Sequence, residues 1–176
     1  MKLVYLDVVI VALEYFMTLR GREVVYEWVI PAILAAMGSV VYCLSGPYVT
    51  VVFLGQFTAA LINLFAILVG FTIATVAVFT TTDKERNHFL SQISDRQIGV
   101  TQITWYRFIY IHLIYAIIAG IILLAMTLCS LLLIERSDFM RLMIFLVLVF
   151  GASHVLLLTM RNVTNLYYAF FDLKHS

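Results

Sequence analysis

The side chains best suited by type to do chemistry are His112 and His154, the only ionisable groups well inside long apolar runs. An imidazole titrates near neutral pH, and an ionisable group within a membrane is a functional candidate because burying it is costly. Each lies about 8 to 10 Å along its helix from the nearest flanking arginine, so antiparallel helices would bring the two to similar depth as a proton-sensitive pair. The alternative is a neutral ring hydrogen-bonded to a backbone carbonyl or to Tyr110, Tyr115 or Asn63. A pump or carrier would add carboxylates at that depth, whereas here the acids fall in flanks, loops, the tail or the N-terminal helix. Cys43 and Cys129 are the only cysteines, with no CxxC and no His/Cys cluster, so neither a metal nor another cofactor is expected. Both cysteines fall near the same outer boundary, where a disulfide stays open as a possibility. No set of nucleophile, acid and base converges anywhere, so no enzyme active site is expected.

These residues must be positioned by membrane helices. The chain is 64% hydrophobic and only 12% charged, with a mean hydropathy of +1.04. A hydrocarbon core of about 30 Å needs about 20 apolar helical residues per crossing. Spans are predicted at 28–44, 52–80, 107–133 and 141–160, within a single membrane domain covering 1–176. The apolar run before Thr82 is so long that a straight helix would measure about 50 Å and must tilt or overshoot. Residues 83–107 form the one sizeable polar connection. Ser94 and Gln97 have capping-box spacing there and Gly99 suits a turn. Residues 3–19 carry Asp7 and Glu14 seven apart on one face with Thr18, a narrow polar stripe that reads as an interfacial or bundle-packed helix rather than a fifth span or a removable signal peptide. The predicted class is therefore all-α: a polytopic membrane protein with four transmembrane helices plus an N-terminal interfacial helix.

Orientation follows from lysine and arginine counts. With the N-terminus inside, nine of these residues (Lys2, Arg20, Arg22, Lys84, Arg86, Arg96, Arg107, Arg161 and Lys174) lie on the cytoplasmic side and two (Arg136 and Arg141) outside. Both termini are thus expected in the cytoplasm of a bacterial inner membrane. Trp28, Tyr26, Trp105, Tyr106, Tyr167 and Tyr168 fit an aromatic belt, and the scattered basic residues give no nucleic-acid face. Asn162-Val-Thr164 matches a glycosylation acceptor but falls on the inner side.

In the second span Ala66, Gly70 and Ala74 recur at four-residue spacing with Asn63 close to the same stripe. Small residues let helices approach and an amide in hydrocarbon seeks a partner, so the stripe marks either packing within the subunit or an oligomer interface. Gln56, Thr58, Asn63 and Thr72 form a broken polar line, the basis of an alternative reading as a small channel or membrane-disrupting effector. Arg86, Asp95 and Arg96 are candidates for docking a protein partner.

The run LFAILVGFTIATVAVFTTT at 64–82 resembles that of a group of small bacterial four-helix membrane proteins whose second helix carries a pattern close to G-F-x-I-A-x-x-A-[VI]-[FL]. Gly70, Phe71, Ile73, Ala74, Ala77, Val78 and Phe79 match it. The group includes the membrane component of the Kiwa anti-phage system, KwaA, to which this chain is similar in size and helix count. The resemblance implies an inner-membrane homo-oligomer, a tetramer, that senses phage-induced disturbance of the lipid bilayer and works with a cytosolic partner protein. It implies no catalytic residues and no direct contact with nucleic acid.

Overall fold

The computed structural model describes residues 4–45, 47–81, 88–133 and 137–171. Helix α1 is Val4–Thr18. Helix α2 (Gly21–Val24), a π-helical turn (Val25–Val29) and α3 (Ile30–Leu44) run on as one rod. Helix α4 is Pro47–Thr81, followed by the single turn α5, His88–Ser91. A hairpin of β1 (Ile93–Ile98) and β2 (Thr101–Thr104) leads into α6, Trp105–Leu131, and α7 is Asp138–Phe171.

Among the described residues four rods are long and apolar enough to cross a membrane: Gly21–Leu44, Val51–Thr81, Trp105–Leu131 and Asp138–Phe171. At about 1.5 Å per residue each exceeds the hydrocarbon thickness, whereas the 15 residues of α1 reach only about 22 Å. The fold therefore defines a multi-pass membrane protein of four spans with a short apolar N-terminal helix. Helix α1 packs on α6 and β1. Glu14 pairs with Arg107 at 2.6 Å and the Thr18 hydroxyl bonds back to the Tyr15 carbonyl at 2.8 Å. The inner part of its polar stripe is thus spent on the bundle; the side chain of Asp7 lies outside the described residues.

Two boundaries differ from expectation. The first rod begins at Gly21 rather than at 28, because Glu23 caps its start by accepting from the Arg20 backbone N–H at 3.0 Å. Helix α7 continues past 160 to Phe171, because Leu158, Asn162 and Ala169 extend one buried line at helical spacing. The hairpin also departs from the capping-box reading of Ser94 and Gln97. Ser94 caps no helix: it sits in β1 and donates to the Ile103 carbonyl across the hairpin at 2.7 Å. Pairing of Ile98 with Thr101 leaves a two-residue turn. Gly99 holds φ +61° at its first position, where a hairpin turn of this length favours glycine. Thr104, not Ser94, caps the next helix by accepting from the Arg107 N–H.

Helix α6 is the centre of the bundle, packed against α1, α4 and α7, while α3 lies on α7. Two apolar clusters result. One, at the hairpin end, gathers Tyr15, Phe79, Leu90, Ile103, Phe108 and Ile109. The other gathers Tyr42, Leu54, Leu61, Phe65, Phe145 and Leu148. The close approaches are at Gly120, where an added Cβ would lie 2.6 Å from a Val69 methyl, and at Gly151, where it would run into Leu123. The stripe in α4 faces the other way. Asn63, Ala66, Gly70 and Ala74 are all exposed, and a Cβ on Gly70 meets nothing within 4 Å. The inward face of α4 is instead Leu54, Leu61, Phe65 and Phe79, whose larger side chains fill the core. The reading of the stripe as packing within the subunit is therefore set aside.

Substitution at the two kinds of glycine should separate these roles. Gly151→Leu should cost about 1–3 kcal/mol through overpacking against Leu123, while Gly70→Leu should leave the thermal midpoint of the detergent-solubilised chain almost unchanged. A Gly151 variant as stable as the parent would contradict this packing.

A buried ion-pair network as the candidate functional site

Among the described residues an extended polar network inside the bundle centres on Glu27, which has 0% exposure. Its origin is local. Pro31 has no N–H, so the carbonyl four residues earlier, that of Glu27, lacks its α-helical donor, and the proline ring crowds that same carbonyl. The chain widens into a π-helical turn there, with the Ile30 N–H reaching back to the Val25 carbonyl. The Glu27 carbonyl is taken up instead by His154 Nδ1 of α7 at 2.6 Å.

The carboxylate is satisfied from two elements. Arg161 of α7 forms an ion pair with one oxygen and the Tyr15 hydroxyl of α1 donates to the other. Burial, reinforced by Glu27 itself, pushes the Tyr15 phenol well above its usual range, so it stays a proton donor. Arg161 also meets Glu23 at 3.0 Å. Glu23 in turn holds Arg96 of β1 at 2.5 Å, and Arg96 donates to the Thr18 carbonyl at 3.1 Å. Arg20 completes the chain by pairing with Asp95. Three acids (Glu23, Glu27, Asp95) and three arginines (Arg20, Arg96, Arg161) thus balance, and both Arg96 and Arg161 lie over the Phe108 ring, at 5.3 and 5.5 Å.

The histidines frame this network without bonding each other. His112 Nδ1 is 2.8 Å from the Phe108 carbonyl. A carbonyl oxygen only accepts, so each Nδ1 carries the hydrogen, and His154 Nε2 then accepts from the Tyr115 hydroxyl at 3.2 Å. Tyr115 stacks on Tyr15 with centroids 3.5 Å apart, which puts the tyrosine pair between the two imidazoles. His112 Nε2 finds no partner among the described residues, while the His112 carbonyl accepts from Asn162 at 3.3 Å.

Of the residues singled out by sequence, His112 and His154 come together around Tyr15 and Tyr115. Asp95 is exposed, but Arg96 is mostly buried and committed to Glu23 and Thr18, which leaves little of it for a partner. Arg86 lies outside the described residues. Gln56 and Asn63 point outward while Thr58 and Thr72 are buried, so these four do not line one face. Cys43 and Cys129 are both exposed and unbridged. Glu27 was missed because it reads as a flanking acid just before an apolar run. The available signal was Pro31 four residues later and a lone arginine, Arg161, inside the continuing pattern of α7. Among the described residues no three His, Cys, Asp or Glu side chains are grouped to hold a metal ion.

A multi-pass membrane protein is the class this fold defines. No protein-family model matches the chain, and comparison with curated proteins and with solved structures finds no match.

Arg161→Ala would strand a buried carboxylate, a loss expected to cost about 3–5 kcal/mol. The double variant Glu27→Gln/Arg161→Met should recover much of that, because it removes both charges. Denaturation in detergent measures both; an Arg161 variant as stable as the parent would refute the network's structural weight.

Proposed function

We propose that this chain is a non-enzymatic scaffold or sensor of the bacterial inner membrane that docks a cytosolic protein on its hairpin end, with a role in anti-phage defence as the resemblance to the Kiwa membrane component implies. The observation that carries the reading is the way the hairpin is held. Arg20–Asp95 and Arg96–Glu23 fix its base to the helical bundle, while the tip residue Val100 is 100% exposed and Ile93 stands largely free. At the same end α7 presents Tyr167, Tyr168 and Phe171 outward. A rigid base with exposed apolar and aromatic tips suits protein recognition, because little conformational entropy is lost on docking. Nine of the eleven lysines and arginines fall on this side, which supports a cytoplasmic hairpin and cytoplasmic termini.

Self-assembly is part of the same reading. Asn63 leaves its amide on the outer face of α4 beside Ala66, Gly70 and Ala74. In hydrocarbon such an amide is stabilised by a partner on another helix, and the small residues permit close approach. A homo-oligomer, taken as a tetramer from the resemblance, places this stripe between subunits.

Reporter fusions within the hairpin turn and after Phe171 should behave as cytoplasmic; a periplasmic result at either would remove the docking model. Native mass of the purified protein, with and without the products of neighbouring genes, tests the partner. A complex is expected that Val100→Arg weakens, and a complex indifferent to Val100, or none, would count against the hairpin as its site. In the same measurement Gly70→Leu should lower the oligomeric mass while each subunit stays helical. An unchanged mass would mean that the stripe faces lipid.

A further inference from the structure

At the end of the bundle opposite the hairpin, the first rod closes at Tyr42 and Ser45 while α7 opens at Asp138 and Arg141. Between them is a cavity of about 380 Å³, lined also by Phe139 and Leu142, within the range of about 300–1,000 Å³ typical of small-molecule sites. Tyr42 is nine-tenths buried and its ring is stacked on Phe145 at 4.7 Å. Its hydroxyl has no hydrogen-bond partner among the described residues. A buried, unpartnered hydroxyl on a residue that lines a cavity calls for a ligand atom, since such groups are otherwise almost always bonded.

The charges say which ligand. The Arg141 side chain is only 13% exposed and donates to Asp138, which is 83% exposed on the open side. A guanidinium beside a phenol suits a phosphate, and a carboxylate further out suits an ammonium. The cavity sits where two spans end, at the depth of lipid headgroups. Leu44 and Phe139 are exposed beside it, an apolar surface against which acyl chains can lie and from which a soluble anion gains nothing. The geometry points to a binding site for a phosphoethanolamine lipid, with its phosphate against Arg141 and Tyr42 and its ammonium against Asp138.

Native mass spectrometry of the full chain in detergent tests this with dioleoyl phosphatidylethanolamine, dioleoyl phosphatidylglycerol and inorganic phosphate as probes. The parent should retain the ethanolamine lipid in preference to the glycerol lipid. Tyr42→Phe keeps the ring stack and removes only the hydroxyl, so the fold should stand while retention falls about tenfold, the loss of one hydrogen bond to a charged group. Asp138→Asn should abolish the preference between the two lipids. Equal retention by the parent and Tyr42→Phe would overturn the site. Equal binding of both lipids by the parent would overturn its zwitterionic specificity, and displacement by millimolar inorganic phosphate would make it a free-anion site instead.

Discussion

A carboxylate with no exposure to solvent must be satisfied from inside the protein, and the burial of Glu27 sets the terms for everything around it. Removing such a group from water costs several kcal/mol before any partner is found. The partners come from far along the chain: Tyr15 twelve residues before, Arg161 134 residues after. Tyr15 reaches Glu27 from α1, which packs on α6, and Arg161 reaches it from α7, which packs on the first rod. The carbonyl released by Pro31 adds a second demand at the same place, met by His154. One proline and one glutamate four residues apart therefore constrain how three helices assemble.

Apolar burial alone could not impose that arrangement. Between helices in lipid the side chains that leave hydrocarbon enter an equally apolar interior, so specificity rests on close packing and on polar contacts. Both are present and occupy different levels. The packing is tightest in mid-bundle, where Gly120 admits Val69 and Gly151 admits Leu123. The polar contacts are concentrated at the hairpin end, where six charged side chains neutralise one another and two of them, Arg96 and Arg161, lie over Phe108. Helix α6 belongs to both levels, which explains why it is the most enclosed of the four spans.

The four spans were legible because about twenty consecutive apolar residues have few other uses. Glu14 and Thr18 on one face of residues 3–19 also pointed correctly to a helix with a use for its polar side, and Gly99 to a turn. What failed was direction and distance. Small residues in α4 show that a backbone can be approached, not from which side; Leu61, Phe65 and Phe79 hold the inward face. The spacing of Ser94 and Gln97 fits a helix cap as well as a strand, and only the cross-strand bond from Ser94 to the Ile103 carbonyl decides between them. Glu27 and Arg161 each look like a solvated flank until they are found to pair, and a pairing over 134 residues leaves no local trace. The polar letters of 161–165 disguised the continuation of α7, whose buried face there needs only Asn162 and Ala169.

Glu23 shows how the hairpin and the fourth span are tied together. One of its oxygens, Oε1, meets both Arg96 of β1 and Arg161 of α7, while its other oxygen accepts from Arg96 and from the Arg20 backbone. Because Arg96 and Arg161 share that oxygen, a shift of α7 along its axis cannot release Arg161 without changing the charge that Arg96 faces. Arg96 is largely buried, so solvent can replace little of the loss. The hairpin base would then have to follow the helix or leave a guanidinium short of a partner. Rigid docking of the hairpin and its dependence on the position of α7 are two aspects of the same shared carboxylate.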